Sequence, residues 1–74
     1  MNRTEHLKQK AAEALVAAKW TREQAEELCK QLAEEHGYNP INWSAADRKR
    51  VEDLNEKARR YDKEAVACEA MILI

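Results

Sequence analysis

Glycine and proline are almost missing from this chain, which holds one of each in 74 residues. A β-sandwich or barrel needs a turn roughly every 8–12 residues, so this scarcity excludes a turn-rich β fold and leaves an all-α one. Phenylalanine is absent, and 13 of the hydrophobic residues are alanine. Burying alanine yields far less than burying leucine or isoleucine, so a single copy has a lean core. Small chains offset this with disulfides, metal or association. Two cysteines are too few for a disulfide framework, and reduced thiols are expected. Neither sign of charge prevails: 13 basic residues stand against 14 acidic ones, a net charge of −1. No global attraction to nucleic acid or anionic membrane follows. The longest apolar run, at the C-terminal end, is about half what a membrane span needs. Met1–Lys10 lacks the apolar centre of a signal peptide, so a cytoplasmic protein is expected.

What the chain does have is heptad periodicity. Val51, Leu54, Ala58, Tyr61, Ala65, Cys68 and Ile72 follow alternating spacings of three and four. Leu7, Ala11, Ala14, Ala18, Thr21, Ala25, Leu28 and Leu32 do the same. Each set is the seam of a helix that lies against another helix. The first seam is mostly alanine and the second carries Leu54 and Tyr61. With closure near residue 40, Tyr61 falls near Ala18 and Leu54 near Ala25, large against small. The same closure places Cys29 near residue 51 and Cys68 near residue 12, keeping the thiols apart.

Helix ends are marked. Asn2 with Glu5 forms a capping box, Gly37 is a C-cap signal after His36, and Ser44 with Asp47 opens the next helix. The reading is a single helical domain over residues 1–74: an arm over 4–36, a loop over 37–43 and an arm over 44–72. So short a connection makes the arms antiparallel neighbours, a long hairpin that pairs with a second copy into a four-helix bundle. The alternative is a compact three-helix bundle, because Thr21 followed by Gln24 is itself a capping pattern where the first helix could break.

Chemistry has little to stand on. There is no Gly-rich phosphate loop, nucleophile elbow or zinc-protease motif, and a thin hairpin has no pocket to exclude water. No catalytic residue, cofactor or metal is expected. Cys29 and His36 share a helical face but lack two further zinc ligands. The basic residues Arg48, Lys49, Arg59 and Arg60 are interleaved with acids at i,i+4 spacing, which reads as a solvated helix face. They would serve a dimeric nucleic-acid-associated regulator, the rival reading.

Surplus apolar residues are the better clue. Ala12, Val16 and Trp20 form a stripe displaced from the first seam. Val66, Ala70, Met71, Leu73 and Ile74 spread off the second. Both groups lie toward the open end of the hairpin, where they are expected to meet as one interface. Tyr38, Ile41 and Trp43 in the loop form a second candidate contact. The functional expectation is a non-enzymatic protein–protein interaction module, such as an adaptor, an inhibitor, or an accessory protein of phage or plasmid type. A homodimer that also binds another protein is the expected assembly; a structural subunit of a larger assembly is the third reading.

Overall fold

The computed structural model describes residues 2–73, and they form an antiparallel helical hairpin. Helix α1 is Arg3–His36 and helix α2 is Ala45–Leu73, joined through a single 3₁₀ turn at Pro40–Asn42. There is no strand among the described residues. The arms hold 34 and 29 residues. At 1.5 Å per residue α1 alone is about 51 Å long, and the longest dimension of the molecule is 50 Å. The other two dimensions are 15 and 14 Å.

Local chemistry sets each boundary. Asn2 accepts a 2.8 Å hydrogen bond from the Glu5 backbone N–H and starts α1. At the other end the Gly37 N–H donates to the Ala33 carbonyl, and Gly37 adopts φ 95°, ψ 163°. A side chain is strongly disfavoured in that region, so the chain leaves the helix where glycine permits it. Asn39 accepts from the Ile41 N–H, and Pro40 supplies the fixed φ of the 3₁₀ turn. Ser44 then accepts from the Asp47 N–H and opens α2.

Thr21 does not break α1. It is buried in the seam, and its hydroxyl donates 2.8 Å back to the Ala17 carbonyl instead of capping a new helix. The compact three-helix alternative is thereby excluded. The radius of gyration is 16.3 Å, against about 11 Å for a compact chain of this length.

The seam is the one read from the heptads. Leu7, Ala11, Ala14, Ala18, Thr21, Ala25 and Leu32 are buried on α1, and Ala58, Ala65 and Cys68 on α2. Leu7, Ala11, Ala14, Ala65 and Cys68 form one cluster against which Ile72 packs. Register is marked by two ion pairs across the hairpin, Lys10–Glu64 at 3.9 Å and Arg22–Asp62. Both are centred within a few residues of Pro40, as the closure requires. Both cysteines are free, Cys68 buried and Cys29 half-buried.

Candidate functional site

Which way the surplus apolar residues face follows from the seam. A residue two positions along a helix is turned by about 200°. Val16 is two positions from both Ala14 and Ala18, which are buried against α2, so it points away from α2. It is 54% exposed, and Ala12 is exposed beside it. By the same geometry Ala70, two positions from Cys68 and from Ile72, points away from α1. Val66 and Leu73 are exposed on that outer side and Met71 on its flank. Ile74 lies outside the described residues.

The two stripes therefore share the open end of the hairpin but not a face. The expectation that they meet in one interface is corrected: a two-layer fold turns the outer sides of its helices in opposite directions. Each stripe is available by itself.

Trp20 belongs to two surfaces. It is 66% exposed and lines an apolar depression with Ala12, Val16 and Ala17 on the outer side of α1. It also forms the end of a groove between the helices, with Glu23, Gln24, Glu27, Leu28 and Gln31 from α1 and Arg50 and Leu54 from α2. Asp53 and Lys57 continue the α2 side of that groove beside Leu28 and Leu54. Trp20 and Arg22 sit on opposite sides of buried Thr21, so the Arg22–Asp62 pair closes the other flank of the seam. The groove lies on the opposite flank, where the Lys10–Glu64 pair bridges the helices nearer the open end.

Periodicity missed the groove because it assigned Leu28, Leu54 and Tyr61 to the seam. All three are only half-buried. Among the described residues of the two helices, Leu7 and Leu32 are the large apolar side chains that the seam buries. A spacing pattern tells which way a residue points, not how far one facing helix covers it. Tyr61 overhangs the alanine seam beside Ala14 and Ala17, and Leu54 stands beside Gln24 and Leu28.

The loop trio divides. Tyr38 and Ile41 are exposed, but Trp43 is 8% exposed and its indole N–H donates 2.9 Å to the Gly37 carbonyl. Trp43 is removed as a contact residue: it holds the loop closed against the helix end. The basic residues Arg48, Lys49, Arg59 and Arg60 are all exposed on α2. Arg60 pairs with Glu56 at 3.1 Å and Arg50 with Asp47 at 3.5 Å, both on the surface. Among the described residues, no three His, Cys, Asp or Glu side chains gather where they could hold a metal ion. No described helix is long and apolar enough to cross a membrane.

Compared with protein-family models, with curated proteins and with solved structures, the chain matches none.

Proposed function

We propose that this protein is a non-enzymatic helical interaction module that docks another protein through the apolar stripes at the open end of its hairpin. The observation that carries the reading is Trp20, two-thirds exposed beside Val16 on the outer side of α1. Large aromatics flanked by aliphatic side chains are the usual anchors of protein interfaces, because they bury much area with few rotatable bonds. The second stripe, Val66, Ala70, Met71 and Leu73, supports a module that engages a partner from either side. A pair of opposed stripes also suits the structural-subunit reading, in which each hairpin bridges two neighbours.

Capture from the native source on immobilised wild type, beside Val16→Glu and Val66→Glu variants, tests the proposal. A protein retained by wild type and lost with one of these surface variants supports it. Identical retention on all three baits, or salt-labile retention of nucleic acid alone, counts against it.

A further inference from the structure

The groove between the helices shares only Trp20 with the outer α1 stripe, and its two rims differ in charge. The α1 rim carries Glu23 and Glu27, separated by Gln24. The α2 rim carries Arg50 and Lys57 with Asp53 between them, net positive among the lining residues, and Arg50 also pairs with Asp47 behind the rim at 3.5 Å. Its floor is Leu28 and Leu54, both half-buried, with Trp20 at one end. A groove with an apolar floor, one acidic wall and one basic wall is complementary to itself under a particular symmetry. A two-fold axis parallel to the helices lays α1 of one copy on α2 of the other, antiparallel and at the same height along the hairpin. Glu23 and Glu27 of each copy then face the Arg50–Lys57 rim of its mate, and the two leucine floors close on each other.

The surface accounts agree with such a mate. The hairpin exposes 5750 Å². A folded monomer of 8.6 kDa exposes about 4,700 Å². The excess is comparable to the ~800 Å² that each partner contributes to a stable interface.

We infer that the Trp20–Leu28–Leu54 groove is a homodimer interface, closing two hairpins into an antiparallel four-helix bundle in which Glu23 and Glu27 of one copy meet Arg50 and Lys57 of the other. The inference goes beyond the docking function, since it concerns a groove that meets the α1 stripe only at Trp20 and commits its occupant to a second copy.

Charge reversal tests it, because all four rim residues are exposed and their substitution leaves the seam untouched. Sedimentation equilibrium is run on wild type, on Glu23→Lys with Glu27→Lys, on Arg50→Glu with Lys57→Glu, and on an equal mixture of the two variants. Circular dichroism checks that helicity is kept. Wild type is dimeric, each double variant dissociates at least about tenfold more readily, and the mixture recovers a heterodimer. Wild type that stays monomeric at high micromolar concentration overturns the inference. So do variants that dimerise as wild type does, or a mixture that stays monomeric. Failure here leaves the docking function standing, because Val16 and Val66 lie on the outer sides of the helices and are read by capture, not by self-association.

Discussion

Gly37 and Trp43 together make the turn that allows a hairpin at all. Gly37 sits at φ 95°, ψ 163°, and an added Cβ would meet only Asn42 Nδ2, at an ordinary 3.7 Å. Space is therefore not the constraint; backbone conformation is. Gly37→Ala is expected to cost about 1–3 kcal/mol, the strain of a non-glycine residue in that region. Urea unfolding followed by circular dichroism measures it, and an unchanged midpoint would refute the argument. The carbonyl of this glycine also accepts the Trp43 indole hydrogen bond. At the thiols, burial decides reactivity: Cys68 lies in the cluster of Leu7, Ala11, Ala14 and Ala65, whereas Cys29 is half-buried. Alkylation of the folded protein should modify Cys29 first, with Cys68 following only as the hairpin opens. Mass spectrometry over time reads the order. Gly37 and the cysteines were legible in the sequence as a C-cap and as separated thiols. Trp43 was not, because the six-residue return of its indole to Gly37 is a property of the folded loop.

Each helix presents a seam of small residues, and that is what lets the two arms lie close. Ala18 has no exposed surface, and Ala58 and Ala65 are 1% exposed. Enlarging Ala18 to leucine forces the helices apart and should cost about 1–3 kcal/mol. Ala58→Arg puts a charge in the same seam and should cost roughly 3 kcal/mol or more. Arg59→Ala, one position further and exposed, should stay within about 0.5 kcal/mol of wild type. Chemical denaturation of the three variants compares them, and equal mild effects would mean that the seam does not hold the arms together. Both helices and their register were legible because alternating spacings of three and four persist for the full length of each arm. The continuity of α1 through Thr21 was not. A threonine followed three residues later by glutamine serves equally as a cap or as a seam residue. Packing against α2 decides it, and the hydroxyl then turns back to Ala17.

At the scale of the molecule, two helices enclose few large side chains: Leu7 and Leu32 are buried, whereas other leucines of the seam are not. A large side chain on a two-helix seam is covered by its own helix and one neighbour, and where it reaches past them it stays open at the flank. Leu28, Leu54, Tyr61 and Ile72 are half-buried for this reason, and alanine forms most of the buried seam. Docking through the exposed stripes, as proposed, makes the outer side of α2 one route of association at the open end. Met71→Glu with Leu73→Glu should therefore abolish any association through the outer side of α2 while keeping helicity, because neither residue belongs to the seam. Sedimentation with circular dichroism on this pair separates that route from the groove. The sequence by itself determined the class, the two arms, the turn and the faces that meet, because these depend on local capping and on a period that repeats along one chain. Only the tertiary structure decided how completely those faces are covered. It turned the Val16 and Ala70 stripes to opposite sides, withdrew Trp43 from the surface and opened a groove beside Trp20, because coverage depends on what lies across from a side chain, and one helix lies there.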